Sequence, residues 1–489
     1  MRCLSRFFHC ALFVFIVVAL AVTNMQSQSS GGASAPPASV PASQNPFLGS
    51  VPEGKATAET LQIDFADAIN RGLRNNLGLL LADEQQESAR GQRWQELAEL
   101  LPELSGRVTE NAQTQSLAAL GFNKLLPLFV APGSNTTSFP RVLPAFNFFD
   151  ARASLSQSVF NYRNIERQKA ATENVKAARF TYKDAREVVV LAVGNSYLQE
   201  IAAASRVETA EAQVKSAQAL YDKASDQQKA GVSPAIDTLR AQVELQTRQQ
   251  QLIVARNDLA KSNLSVARII GLPPGQPFVL TEKAPFQALT PMPIDTYLER
   301  AYAGRFDYKS AVAQVRSAEL LRRAAQAGHY PSVDIDANYG AIGVNPGQSN
   351  GTWQVDGGLN IPIFAGNRVH ADVLQADAQL RQARSQLGDL RGRIDYEVRT
   401  ALLDLNAAAD QVAVARTSVE LAEQTLTQAQ DRFSAGVTDN LEVVQAQESV
   451  ASAHESYIES LYAHNLAKVE LAYAIGDAEQ GVKRYLKGN

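Results

Sequence analysis

Asp237 and Glu442 are the residues whose type and placement most invite a chemical reading. Each follows a glycine, Gly231 or Gly436, at the same spacing in two near-duplicate segments. Carboxylates set just past a chain reversal admit two roles. Where several copies converge on one axis they attract cations and resist close approach, because two unit charges about 6 Å apart repel by ~0.7 kcal/mol in water and ~2.8 kcal/mol at an effective dielectric of ~20. Otherwise they are first-turn acids stabilised by the exposed N–H groups of a helix. The remaining reactive residues form no site. His329, His370, His454 and His464 make no HxxxH or HExxH spacing, so no metal is expected. Cys3 and Cys10 both fall in the N-terminal leader, which leaves no thiol for a processed chain. Gly271-Leu-Pro-Pro-Gly275 lacks the Lys-Ser/Thr of a phosphate loop, and pairs such as Glu208 and Glu211 are ordinary on solvated helices. No enzymatic activity and no cofactor are expected. With 46 Lys+Arg against 50 Asp+Glu and no dense basic tract, nucleic acid is a poor partner.

The elements that would position those acids are long. Residues 165–228 and 368–433 contain Ala, Gln, Glu, Arg, Lys and Leu almost throughout and no Pro, which predicts helices of about 96 and 99 Å at ~1.5 Å per residue. Val175, Ala178, Tyr182, Ala185, Val189, Ala192 and Ser196 alternate steps of three and four, as do Ile394, Val398, Ala401, Leu405 and Ala408. Such small-residue seams suit helices packed closely around a wide tube, or an elongated rod. The chain is written twice: Gly231-Val-Ser-Pro recurs as Gly436-Val-Thr-Asp, and Arg268-Ile-Ile-Gly271 as Tyr473-Ala-Ile-Gly476. A unit this large, repeated once, implies internal pseudo-symmetry.

The apolar run from Ala11 to Leu20 after Arg2 and Arg6 predicts a secretory signal peptide over 1–21, followed by a flexible leader over 22–58. The first repeat covers 59–271, with strands at about 103–117 and 146–158 and a helix turn at 231. A linker follows over 272–293. The second repeat covers 294–478, with strands at about 331–342 and 352–363 and a turn at 436, and a tail runs over 479–489. All four strands alternate apolar and polar residues over a transmembrane length. In the clearest, Val355, Leu359 and Ile361 are expected to face lipid, while Gln354, Asp356 and Asn360 face a lumen. Four strands cannot close a membrane barrel, and an open edge in lipid is forbidden, so three chains and twelve strands are expected. The apolar, proline-rich stretch 118–145 is expected to narrow the exit.

In this order and spacing, the duplicated strand-strand-long-helix unit resembles the TolC-like outer-membrane efflux proteins. The transition Leu359-Asn-Ile-Pro-Ile-Phe-Ala-Gly-Asn-Arg368 and the two helix turns carry the likeness over roughly residues 60–478. The resemblance implies a mixed α and β membrane protein: a trimeric 12-stranded β-barrel, four strands per chain, continued by a coiled-coil-like α-helical tunnel in the periplasm of a Gram-negative-type envelope. It implies a passive exit duct for small molecules or type I protein secretion. The implied partners are a periplasmic adaptor, an inner-membrane RND, ABC or MFS-type transporter, and outer-membrane lipid. The periplasmic entrance would then involve Asp237, Glu442, Gln445, Thr438 and Phe433. Gln445 stands where some members carry an acid, Thr438 where the best-studied type carries an arginine, and Phe433 where it carries a tyrosine. The turn tips, Gly231, Val232, Ser233, Gly436, Val437 and Thr438, would meet the adaptor. The competing reading is an exported coiled-coil structural or adhesive protein without channel activity.

Overall fold

The structure, a computed structural model, describes residues 45–116, 119, 142–282, 286–289 and 292–481. The expected signal peptide, residues 22–44 of the leader, most of the stretch 118–145 and residues 482–489 of the tail lie outside these.

The chain threads the same sequence of elements twice. In the first pass α1 (Phe65–Asn75) and α2 (Leu77–Ala98) lead to β2 (Glu103–Ser116) and β3 (Val142–Phe160), then to α3 (Tyr162–Lys229) and α4 (Ala235–Ile270). In the second, α5 (Ile294–Gly304) and α6 (Phe306–Gln326) lead to β5 (Ser332–Gly343), β6 (Ser349–Asn360), α7 (Arg368–Ser434) and α8 (Asn440–Ala474). At 68 and 67 residues, α3 and α7 are each about 100 Å long. The helical stretch before each strand pair is two helices rather than one, broken at Asn76 and at Arg305. Asn76 turns the chain by accepting hydrogen bonds from the N–H groups of Gly78 and Leu79 while its own amide donates to the Phe47 carbonyl.

β2, β3, β5 and β6 form one antiparallel sheet in that order. The last strand lies over Ser349–Asn360 rather than 352–363, because Pro362 cannot donate to a ladder and the chain leaves the sheet before it. Ile361 therefore falls outside the strand on which it was expected to face lipid.

The helices pack in the order α4, α3, α8, α7, with α6 laid against α3 and α7. Ile394, Val398, Ala401, Leu405 and Ala408 are all buried, as are Val175, Ala185, Val189 and Ser196. Small residues bring α6 close enough to α3 for Ser310 and Ser317 to donate to the Ala177 and Ala170 carbonyls at 3.1 and 3.2 Å. One 18-residue window of α3 is apolar enough to cross a membrane, but half of it is buried inside the protomer, as in a core helix.

Where the helices meet the short elements lies the largest core, around Ile69, Val189, Val193, Tyr197, Ile269, Ile270 and Val469. A parallel ladder joins β1 (Leu61–Ile63) to β4 (Phe278–Leu280) over it, so the linker at 272–293 contains a strand. The leader expected to be flexible over 22–58 is fastened here from residue 45 onward. Phe47 packs on this core, Val51 N–H donates to the Asn75 carbonyl at 2.8 Å, and Thr57 N–H donates to Gln276. The tail likewise begins docked, with Glu479 paired to Arg186 and its N–H on the Glu187 carboxylate. These attachments hold one end of the helical body; the other end carries the turns.

Candidate functional site

At the free end, α3 and α7 finish in the same way. Gly231 has φ 76° and Gly436 φ 70°, a left-handed backbone that favours glycine. Gly231 and Val232 donate to the Gln228 and Gln227 carbonyls, each at 3.0 Å, and Gly436 and Val437 to Phe433 and Arg432 at 3.1 and 3.0 Å. This paired bonding closes a helix and returns the chain antiparallel. The apolar residue after such a glycine ordinarily folds back onto its helix. Here Val232 and Val437 are 75 % and 69 % exposed, so each tip offers an uncovered valine. Ser233 and Thr438 stand beside them, partly covered.

Asp237 and Glu442 occupy equivalent places in the first turns of α4 and α8. Their surroundings differ. Asp237 is 4 % exposed; Ser233 Oγ donates to its Oδ2 at 2.8 Å, and Arg240 Nη1 lies 3.6 Å from its Oδ1. The same Arg240 nitrogen lies 3.6 Å from Asp439, which caps α8, so one guanidinium ties the two turns together. Asn440, wholly buried, donates from Nδ2 to the Asp237 carbonyl at 2.6 Å and completes the tie. Glu442 is half-exposed and faces Arg432 at 3.4 Å. Within the protomer these carboxylates are met by Arg240, Arg432 and Ser233, while Gln445 is exposed. Phe433 is buried among Leu220, Ala224, Ala241 and Val443, with Lys223 Nζ 5.6 Å from its ring centroid. Sequence reasoning missed Arg240, Arg432, Asp439 and Asn440. The Asp237–Arg240 helical spacing and the Thr438-Asp439 cap signal were available to find the first and third.

The sheet is the second site. Its register puts Leu104, Val108, Ala151, Leu155, Val333, Ile335, Tyr339, Trp353, Val355 and Leu359 on one face. The other face carries Ser105, Arg107, Asp150, Arg152, Ser154, Asp334, Asp336, Asn338, Gln354, Asp356 and Asn360. Tyr339 and Trp353 are directly opposed, as are Asp336 and Asp356. Arg152 pairs with Asp150 at 2.6 Å on the polar face. On the apolar face Leu104, Tyr339 and Trp353 are 70–75 % exposed, an arrangement water would penalise and lipid favours. β2 and β6 each pair on one side only.

Between these ends, Arg305 is buried against Asp307 at 2.7 Å and against Glu397, and donates to the Ala474 carbonyl at 3.4 Å. Burial opposes its charge, but the bonds to Asp307 and Glu397 prevail and raise its pKa. Asp184, facing this cluster, is pushed up to about 7, by burial first and then by Asp307, against the pull of Arg305. No group of three or more His, Cys, Asp or Glu able to hold a metal occurs among the described residues.

A family described as "Outer membrane efflux protein" matches residues 68–272 and 297–477, which takes in both strand pairs and all four long helices. The chain belongs to the outer membrane efflux protein family. Outer membrane protein TolC of Escherichia coli is 23 % identical over 68 % of this chain and 70 % of that protein. Alkaline protease secretion protein AprF of Pseudomonas aeruginosa is 20 % identical over 77 % and 82 %. The same fold is seen in the CmeC outer membrane channel of Campylobacter jejuni, with a TM-score of 0.70 at 17 % identity over 93 % of this chain and 94 % of that one. The MtrE channel of Neisseria gonorrhoeae in its open state gives 0.69 at 17 % identity over 93 % and 98 %. As a family member this chain is an outer-membrane efflux channel protein, not an enzyme, with its sheet in the outer membrane and its helical body in the periplasm. The adhesive-rod reading falls with that assignment.

Proposed function

We propose that three copies of this chain close one twelve-stranded barrel over a tunnel of twelve helical columns, forming a passive exit duct. The observation that carries this reading is the open sheet. A four-stranded antiparallel sheet with one exposed apolar face and two unpaired edges cannot rest in lipid until its edges are joined. Eight strands leave a filled interior, whereas twelve leave room for a channel lined by the polar face. Light scattering in detergent, with the micelle mass subtracted, should give three protomers; a monomer or dimer would sink the shared barrel. In planar bilayers, cysteines at Gln354, Asp356 and Asn360 should react with a charged, impermeant thiol reagent, and cysteines at Val355 and Leu359 should not. The opposite labelling would mean that the two faces are interchanged.

The tips serve as the entrance and as the docking end for a periplasmic adaptor, through which an inner-membrane transporter of the RND, ABC or MFS type supplies the energy. The uncovered Val232 and Val437 support adaptor contact, together with Gly231, Ser233, Gly436 and Thr438 around them. Asp237, Glu442, Gln445, Thr438 and Phe433 form the entrance. Relatives named for alkaline protease secretion and for cation efflux match 77 % and 64 % of this chain, which supports a wall indifferent to cargo. The Val232→Asp, Val437→Asp double variant should abolish export in cells while conductance of the purified channel is unchanged. Loss of conductance as well would place the valines in the pore rather than at a docking surface.

A further inference from the structure

A cavity away from both the tips and the sheet lies where α3, α4 and α8 meet beneath β4. Its volume is about 550 Å³. Most of the wall is apolar, with Leu198 and Ile201 from α3, Leu259 from α4, Phe278 from β4, and Ile458 and Leu461 from α8, while Glu208 and Glu282 lie at its border. Into it projects Glu200, 4 % exposed. One carboxyl oxygen, Oε1, accepts from Asn263 Nδ2 at 3.4 Å, and the other, Oε2, has no hydrogen-bond partner among the described residues. A buried acceptor without a donor is costly, and fold-level packing normally removes one. Of the three carboxylates that line the chamber, Glu200 is the one nine-tenths buried with an unsatisfied oxygen, and that is a built feature of this junction.

We propose that this chamber binds a primary amine carried on an apolar body, with the ammonium on Glu200 Oε2 and the body against the α3, α4 and α8 side chains. An ammonium brings three donors and the opposite charge, which satisfies both the empty lone pairs and the desolvated carboxylate. Glu208 and Glu282 also line the chamber, but among the described residues no three acids converge closely enough to hold a metal ion, which argues against a divalent cation. The lining comes from a single protomer and from both of its repeats. Burial pushes the Glu200 carboxyl up to about 7, and binding of an ammonium requires its ionised form. The groups facing it are Tyr197 and Glu208 of α3, Asn263 of α4, Glu282 just beyond β4, and Tyr462 of α8.

The test uses the full chain in lipid nanodiscs titrated with N-dansylcadaverine, whose emission shifts to the blue in apolar surroundings. N-pentyl dansylamide, the same body without the amine, is the comparator. The amine should bind saturably and at least tenfold more tightly than the comparator. Its affinity should fall roughly tenfold per pH unit below 7, as a proton must first leave Glu200. Glu200→Gln, matched for melting behaviour, should bind amine and comparator alike with no pH dependence. Equal binding of the amine by wild type and Glu200→Gln overturns the proposal. So does a flat pH series in the wild type, which needs no variant, and so does the absence of saturable binding.

Discussion

Asp184 is the residue at which the fold most clearly opposes ordinary ionisation. Its carboxyl, normally near 3.8, is raised to about 7 by burial beside Asp307. The folded chain therefore favours the neutral acid, and that contribution is complete below about pH 4 and lost as pH rises through 7. Asp184→Asn should gain on the wild type in thermal melting as pH rises from 5 to 7.5, by a few °C. A constant gap across that range would mean that Asp184 is solvated. Arg305 is the counterpart of opposite sign. Removing it by Arg305→Ala leaves Asp307 and Glu397 without their cation at a buried helix break, and should cost about 3–5 kcal/mol by the same measurement. Neither residue stands out in the sequence. Each gains its importance from α6 lying against α3 and α7, a long-range contact that no local spacing announces.

Among the elements, the glycines with left-handed backbones that end the helices do two different jobs. At the tips, Gly436 has open space around its missing Cβ, so Gly436→Ala carries only backbone strain, about 1 kcal/mol. At the far end of α8, Gly476 has φ 72°, and a Cβ there would lie 2.6 Å from the Arg305 backbone nitrogen. Gly476→Ala should cost more than about 2 kcal/mol, read as a larger drop in melting temperature than Gly436→Ala. Equal drops would show that the α5–α6 break can move aside. The helix turns were legible because a glycine flanked by long helical runs is a local signal, and the duplication repeated it. The breaks at Asn76 and Arg305 were not. Asn76 interrupts a helix by capping the next one against Phe47, a residue in a segment whose composition reads as flexible.

For the whole molecule, the order α4, α3, α8, α7 leaves the outer flanks of α4 and α7 unpaired. α4 exposes Val243, Ile253 and Leu264, and α7 exposes Leu403, Val414 and Leu421, each between 58 % and 69 %. In the proposed closed ring the α4 flank of one protomer would meet the α7 flank of the next, as β2 would meet β6. Leu403→Glu with Val414→Glu should therefore separate the copies while each protomer keeps its helix content. Light scattering and circular dichroism together decide this; an undisturbed assembly would place the α7 stripe elsewhere than an interface. The tie from Arg240 to Asp237 and Asp439 acts at the same scale, since it holds both turns of a protomer together at the tips. Arg240→Ala with Arg432→Ala should raise single-channel conductance, and an unchanged value would mean that the turns do not form the constriction.

The sequence alone determined the seams, the turns, the alternating strands and their repetition, because each depends on spacing within a few residues of itself. Heptad-like steps specify which helix face is buried whatever the partner, and period two specifies a strand's faces. What only the tertiary structure decided are the features made by residues distant in the chain. The β1–β4 ladder joins segments more than two hundred residues apart, and the leader is ordered from residue 45 by contacts with Asn75 and Gln276. Asp237 and Glu442, indistinguishable by position, became a buried acid tied to Arg240 and a half-exposed acid facing Arg432. Burial is set by which helix crosses above a side chain, and that crossing is a property of the packed molecule rather than of any segment read by itself.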